Sequence, residues 1–347
     1  VSYLAPAGNG LMVTAGLFNS LIGYPDHDTR GHTTTLSSAK TSRNCFTCGT
    51  STTSIPIDVS PGRNGLTPKL ALVYSSNAGP GPYGYGWDLP LGKIQRSTKH
   101  GVLSCTDPTY RNDFVLALPG ANVECTLDPA TNLCNPKIQE SFVRIKYLPT
   151  TNEFEAWDKS GLHYYFGDDR VTSRTATPGN DGWSLFQPGQ PCGYTFSWAL
   201  SRIVDPNGNS LDIAYIKEEN VLYPDNIRYG ANSSVLPHQF EVNFVWSNED
   251  AFSRPAGDEI VNSMGGFTAK LKRLLSAIEV RYPVGGNRVR WYSFQYEFQN
   301  DDQDDDRLAR QSFLSSVTLY DDNNLALPRA DGGSTATTFI YHQDLGA

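Results

Sequence analysis

From Ile55 onward the apolar residues recur with a period of two. Ile55, Ile57 and Val59 share one face while Pro56 faces the other way, which predicts an edge strand or a strand start. Leu70, Leu72 and Tyr74 alternate with Ala71 and Val73, all apolar, which predicts a strand buried on both faces. Phe114–Leu118 is a further short apolar run, and Val143, Ile145 and Tyr147 alternate against Arg144 and Lys146. Phe154–Trp157 runs into the turn residues Asp158–Gly161 and returns as "LHYYFG", a hairpin by its turn chemistry. Phe240, Val242, Phe244 and Trp246 mark another alternating strand. In "GGFTAKLKRLLSAI", Leu271, Leu274 and Leu275 have helical spacing, but they also feed a strand starting near Leu275, and strand is the reading adopted. Residues 1–54, rich in Ser, Thr and Gly, carry no sustained helical period and read as an extended N-terminal arm with one or two strands. Residues 101–140 hold three cysteines and read as a loop-rich insertion in the module spanning 55–347.

The C-terminal half repeats itself. "LSRIVDPNGNSLDIAY" (200–215), "LSAIEVRYPVGGNRVRWYSFQY" (275–296) and "LSSVTLYDDNNLALP" (from 314), with its return strand "TTFIY" ending at 341, share one plan. Each opens Leu-Ser, turns through an Asn/Gly/Asp/Pro cluster and closes on an aromatic strand ending in Tyr. Asn207-Gly208 and Gly285-Gly286 can take the positive φ of a tight turn. One hairpin cannot bury its apolar face alone, but a stack of them can. The fold class expected is therefore all-β, with antiparallel hairpin repeats forming a large curved or rolled sheet.

Composition supports this. Of 347 residues, 39% are hydrophobic and 18% charged, with 18 Tyr and 16 Phe against 2 Met, a mix that favours strands. The net charge of −8 and the absence of a basic stripe argue against a nucleic-acid partner. No apolar run approaches the roughly 18 residues of a membrane span, and the first residues lack the basic start of a signal peptide. Six cysteines, Cys45, Cys48, Cys105, Cys125, Cys134 and Cys192, fit an oxidising compartment. Cys125 and Cys134 are a candidate pair, as are Cys105 and Cys192, and the connectivity stays open. Cys45–Cys48 is a CxxC without a second ligand pair, so a disulfide is favoured over zinc. Asn232-Ser233-Ser234 is a formal glycosylation sequon.

Other candidate chemistry is sparse. "GPGPYGYGW" has prolines where a phosphate nest needs N–H donors. Tyr83, Tyr85 and Trp87 alternate with glycines; in a strand the rings would form a row able to stack on a sugar, or else a core wedge. Asp26, His27, Asp28 and His32 read as a polar loop, with metal binding as the sharper alternative. Asp301, Asp302, Asp304 and Asp306 belong to an acidic run without EF-hand spacing; it reads as a solvated loop, with calcium as the ion it would suit. No cofactor is called for. There is no G-x-S-x-G elbow and no His beside a Ser or Cys partner, so no catalytic residue is assigned and the chain is not expected to be an enzyme.

"IPIDVSPGRNGLTPKLALVYSSNAGPGPYGYGWDLPLGKIQRST" resembles the N-terminal module of the Salmonella virulence plasmid B and insecticidal toxin-complex B family. The likeness rests on Ser60-Pro61-Gly62-Arg63, Gly65, Pro68, Leu70, Leu72, Tyr74, Ser75, Gly79, Gly81, Gly84, Gly86, Trp87, Leu89, Ile94 and Arg96. "DKSGLHYYFG" and "WALSRIVDPNGNSLDIAY" extend it, the latter resembling an Rhs/YD-type strand unit, and it covers roughly 54–341. The resemblance implies an all-β module, enzymatic activity confined to other domains, secretion or cell-surface location, and a protein partner through self-assembly or a larger shell. The expected function is a non-catalytic structural and interaction module contributing to a β-shell or extracellular assembly, with carbohydrate binding by Tyr83, Tyr85 and Trp87 as the alternative.

Overall fold

The computed structural model describes residues 32–37, 50–101, 112–119, 121–138, 142–167, 184–186, 195–232, 236–247, 258, 260–265, 268–299, 311–327 and 336–342. Its first strands are β1 (His32–Ser37), β2 (Thr52–Ile57), β3 (Leu70–Ser75), β4 (Pro80–Gly81), β5 (Gly84–Tyr85), β6 (Trp87–Asp88) and β7 (Lys93–Arg96). Then come β8 (Asp113–Leu118), β9 (Ala121–Asp128), β10 (Leu133–Pro136), β11 (Arg144–Leu148), β12 (Glu153–Trp157), β13 (His163–Phe166), β14 (Ser184–Phe186) and β15 (Thr195–Val204). The rest are β16 (Asn209–Glu218), β17 (Val221–Asn232), β18 (Phe240–Trp246), β19 (Ile260–Asn262), β20 (Ala269–Leu271), β21 (Leu275–Tyr282), β22 (Asn287–Gln299), β23 (Gln311–Asp321) and β24 (Ala336–His342). The described residues are nearly all β, and Ala269–Leu271 and Leu275–Tyr282 are strands, as read from the sequence.

Two bodies share β15. Among the described residues, β7, β8, β9, β10, β11, β12, β13 and β15 pair in a closed antiparallel ring, an eight-stranded barrel. The C-terminal half of β15 also pairs with β16 and opens a second antiparallel sheet running β16, β17, β18, β21, β22, β23, β24. β1 adds to β24 in parallel. Among the described residues of 101–140, β8, β9 and β10 form part of the barrel wall, which corrects the loop-rich insertion expected there. The 54/55 boundary falls inside β2, and β1, within the expected arm, is a strand of the sheet.

The barrel is filled by Ile94, Phe114, Leu116, Val123, Ile145, Phe154, Phe166 and Trp198, all buried. Trp198 lies 4.9 Å from Phe154 and 5.8 Å from Phe114. Burying each large ring is worth about 2–3 kcal/mol. β3 differs from expectation: Leu70, Leu72 and Tyr74 are buried, but Ala71 and Val73 are only half-buried, because β2–β3–β6 is a small separate sheet with one face to the core.

The hairpin repeats have a common hydrogen bond. Tyr215 Oη donates to the Leu200 carbonyl at 2.7 Å, Tyr296 Oη to the Leu275 carbonyl at 2.8 Å, and Tyr341 Oη to the Leu314 carbonyl at 2.8 Å. In each repeat the closing Tyr thus reaches back to the opening Leu. Three turns are also alike. Asp158, Asp205 and Asp321 each accept from the N–H groups two and four residues on, and the residue at the third position, Gly161, Gly208 or Asn324, has positive φ. The aspartate stands in for a missing backbone acceptor, and the left-handed residue lets the chain return in register.

Replacing Tyr296 with Phe removes one part-buried hydrogen bond to the Leu275 carbonyl; a loss of about 1 kcal/mol is expected by urea denaturation. Tyr74 is the contrast. Its hydroxyl is buried without a hydrogen-bond partner, so Tyr74→Phe should be neutral or stabilising in the same measurement.

Candidate functional site

The segment Ser60–Asp88, with its glycines and aromatics, lies across the apolar face of the large sheet. Gly84 and Gly86 have φ of +97° and +80°, a left-handed backbone that breaks any regular strand there. The three rings therefore do not form a row. Tyr83 packs 5.8 Å from Trp246, Tyr85 5.4 Å from Phe313, and Trp87 between Tyr74 at 5.3 Å and Phe339 at 4.9 Å. Tyr83 and Trp87 are 3% and 2% exposed, so of the two readings of this row, sugar platform or core wedge, these rings take the wedge. A Cβ on Gly86 would lie 2.4 Å from Tyr74 Cε2, and one on Gly84 3.1 Å from the Leu314 backbone nitrogen.

Hydrogen bonds stitch this segment to the sheet. Tyr229 Oη donates to the Ser60 carbonyl and the Asp58 N–H donates to Tyr292 Oη, both at 2.8 Å. The Leu275 N–H donates to the Pro82 carbonyl at 3.0 Å, and Trp87 Nε1 donates to Tyr341 Oη at 2.8 Å. Burial pushes the Tyr229 hydroxyl, which donates to the Ser60 carbonyl, up to about 12, and pushes the unpartnered Tyr74 hydroxyl up to about 12 as well. At the rim, Asn64, held at φ 50°, donates from Nδ2 to Asp205 Oδ2 at 3.2 Å. Asp205 also accepts from the backbone and side chain of Asn209. Burial by itself would raise this carboxyl; the hydrogen bonds from Asn209, Asn64 and Asn207 outweigh it and hold the group below its ordinary 3.8.

The opposite face of the sheet carries a row of charge. Register neighbours across successive strands are Lys146, Glu155, Tyr165, Arg202, Asp212, Arg228, Glu241 and Arg281, with signs alternating on either side of the tyrosine. Arg202 Nε lies 2.9 Å from Asp212 Oδ1, His238 Nε2 lies 3.1 Å from Asp212 Oδ2, and Arg228 Nε lies 2.8 Å from Glu241 Oε1. Beside it, His163 is sandwiched by Trp157 at 4.4 Å and Tyr165 at 4.0 Å. Burial lowers its pKa, against the pull of Glu155. Sequence reasoning missed this row. Its signal was present as opposite charges at outward positions of consecutive strands, but register was needed to align them.

The remaining candidates divide as follows. Cys125 and Cys134 are brought together as a disulfide between β9 and β10. Cys45, Cys48, Cys105 and Cys192, the aspartates Asp301, Asp302, Asp304 and Asp306, and Asp26, His27 and Asp28 lie outside the described residues; His32 is in β1. Among the described residues no group of three His, Cys, Asp or Glu is placed to hold a metal. The sequon residue Asn232 donates from Nδ2 to the Asn207 carbonyl at 3.0 Å and to Asn209 Oδ1 at 3.1 Å, so the amide that a glycan would need is engaged in the turn. Among the described residues no helix is long and apolar enough to cross a membrane.

The family profile of the Salmonella virulence plasmid 65kDa B protein, SpvB, matches residues 46–239, more than half of the chain. The chain belongs to the SpvB family. A curated relative from Salmonella choleraesuis, named mono(ADP-ribosyl)transferase SpvB, is 27% identical over 212 residues, covering 54% of this chain and 32% of the relative. Its Salmonella typhimurium counterpart, with the same name, is 26% identical over the same span. The chain therefore spans about a third of the length of the curated relatives it matches. Among solved structures, the N-terminal domain of effector protein SpvB from Salmonella typhimurium covers 78% of this chain and 98% of its own, with a TM-score of 0.56 and 17% identity. The TcdB2-TccC3-Cdc42 complex covers 84% of this chain and 15% of its own, with a TM-score of 0.58 and 19% identity. These likenesses show the fold. The SpvB relatives correct the expected function: their name is that of an enzyme, which overturns a purely structural shell module, and burial of Tyr83 and Trp87 removes the basis for the carbohydrate alternative.

Asp205 and Asp158 both have carboxyls held below the ordinary value, in Asp158 by Ser160, Leu162 and Tyr164 against the effect of burial. Their contribution is complete above the unfolded value of about 4 and is lost as pH falls through the lower folded value. The urea midpoint should therefore decline on acidification below about pH 4, and less steeply in Asp205→Asn, which should itself cost about 2–3 kcal/mol at pH 7.

Proposed function

We propose that this chain is the polypeptide-binding domain of a secreted or translocated toxin or effector with mono(ADP-ribosyl)transferase activity. The observation that carries this reading is the SpvB family match together with relatives bearing that enzyme name. The transferase chemistry belongs, on this reading, to a part of the protein other than residues 1–347. The match covers only 32% of the relatives.

Its partner is another protein segment. One rim of the large sheet, where the turns after β17, β21 and β23 lie together, exposes Leu236, Tyr282 and Leu325, an apolar edge suited to a polypeptide surface. The three Leu…Tyr hairpins belong, on the same reading, to the Rhs/YD type, a plan that extends by adding further hairpins to an existing sheet.

The test is transfer of labelled ADP-ribose from NAD to proteins of a eukaryotic cell extract. The protein encoded by the whole reading frame containing this chain should label a target, and residues 1–347 alone should not. Absence of labelling by the whole protein, with the fold verified by circular dichroism, would overturn the transferase reading; labelling by residues 1–347 alone would overturn the division of labour.

A further inference from the structure

The outer surface of the barrel carries a cleft of about 220 Å³ where β7, β8 and β9 lie side by side. It follows from the alternation of β7. Ile94 is buried in the barrel core, so Lys93 and Gln95 point outward, and register sets them beside Ala117 and Val115 of β8. These two short side chains are half-buried and form an apolar floor. Glu124 of β9 is the register neighbour of Val115 and lines the far side, where its two carboxylate oxygens accept from Lys99 Nζ at 2.7 and 2.8 Å. Arg96 turns inward: its Nε donates to the Thr195 carbonyl at 2.7 Å, and its guanidinium lies 4.8 Å from the Phe114 ring centre. Lys93 and Gln95 are different. Among the described residues neither side chain has a hydrogen-bond or ion-pair partner, and Lys93 is exposed.

We propose that this cleft receives a glutamate side chain of an acidic polypeptide segment, its carboxylate between the Lys93 ammonium and the Gln95 amide and its aliphatic stem on Val115 and Ala117. The inference rests on the reading of the chain as a polypeptide-binding domain and gives that domain a contact on the barrel wall, apart from the rim of Leu236, Tyr282 and Leu325. A free ammonium and a free amide beside an apolar floor suit an anion carried on an aliphatic stem. Charge balance selects a carboxylate over a phosphate. Lys99 is spent on Glu124 and Arg96 on the Thr195 carbonyl, so Lys93 is the one cation left for a ligand, and it matches one negative charge. A phosphate dianion would face the Glu124 carboxylate with its second charge unmet. In a chain of net charge −8, a wall presenting Lys93, Arg96 and Lys99 against Glu124 is a local reversal of sign, which steers an acidic segment to this place and not elsewhere on the surface.

Fluorescence anisotropy of a labelled oligoglutamate peptide, titrated with the full chain at neutral pH, tests this. Binding should saturate and should weaken as sodium chloride is raised. Lys93→Glu turns an attraction into a repulsion and should weaken binding about tenfold. Gln95→Glu should weaken it as well, whereas Lys159→Glu, the same charge change on the exposed β12–β13 turn, should leave it unaltered. An oligoaspartate peptide of equal length, with a shorter stem for the floor, should bind less tightly. Circular dichroism verifies the fold of each variant. Absence of saturable binding overturns the proposal, as does equal binding by the wild type, Lys93→Glu and Gln95→Glu. Displacement of the peptide by inorganic phosphate at matched ionic strength overturns it in favour of a phosphate site, and binding only to phosphatidylserine vesicles overturns it in favour of a membrane surface. Loss of peptide binding in Tyr282→Ala with Lys93→Glu unaffected would keep the polypeptide reading and remove the cleft. No transferase readout enters, so failure of the transferase reading leaves this test unaffected.

Discussion

The structure depends on a single burial constraint: a wide antiparallel sheet whose inner face is lined with Tyr, Trp and Phe must be covered. The cover is supplied by the segment from Asp58 to Trp87, not by a helix. Its backbone is held by Tyr229, Tyr292 and the Leu275 N–H, and its rings sit against Trp246, Phe313 and Phe339. Tyrosine suits this role because each ring supplies apolar area while its hydroxyl satisfies a backbone group that burial would otherwise leave unpaired. The tyrosines that close the three hairpins, Tyr215, Tyr296 and Tyr341, follow the same logic, and Tyr341 also accepts from Trp87, so cover and sheet share one hydrogen-bond chain.

The two faces of the sheet thus do different work. The inner face is aromatic and joined to the wedge; the outer face carries alternating charge from Lys146 across to Arg281. Ion pairs such as Arg202–Asp212 and Arg228–Glu241 fix register, since a one-residue slip would move charged residues onto the aromatic side. β15 carries both arrangements, one end in the barrel with β7 and the other in the open sheet with β16. This shared strand joins the two bodies through backbone pairing.

For function, the family match and the geometry point the same way. Relatives named as transferases are about three times as long as the matched span, and this fold recurs in toxin complexes as a small share of much larger chains. Three hairpins that each close Tyr to Leu lie in one sheet, and Leu236, Tyr282 and Leu325 are exposed at turns along it.

How much of this was legible in the residues depends on the range of the interaction involved. Local chemistry was readable: period-two alternation, the Asp-x-x-Gly turns at Asp158 and Asp205, and the Leu…Tyr plan of the three hairpins all depend on residues within one hairpin. The wedge motif was recognisable as a string, but its meaning was not. Tyr83, Tyr85 and Trp87 alternate as a strand would, and only the left-handed backbone at Gly84 and Gly86 sends the rings to three different neighbours. The stretch 101–140 looked like an insertion because its polar and cysteine content hides short strands; closure of the barrel through β13 and β15, far along the chain, makes them wall. The sequence by itself determined the strands, the turns and the repeat, because these follow from near neighbours. Tertiary structure alone decided the barrel, the wedge and the charged row, because each needs register between segments tens to hundreds of residues apart.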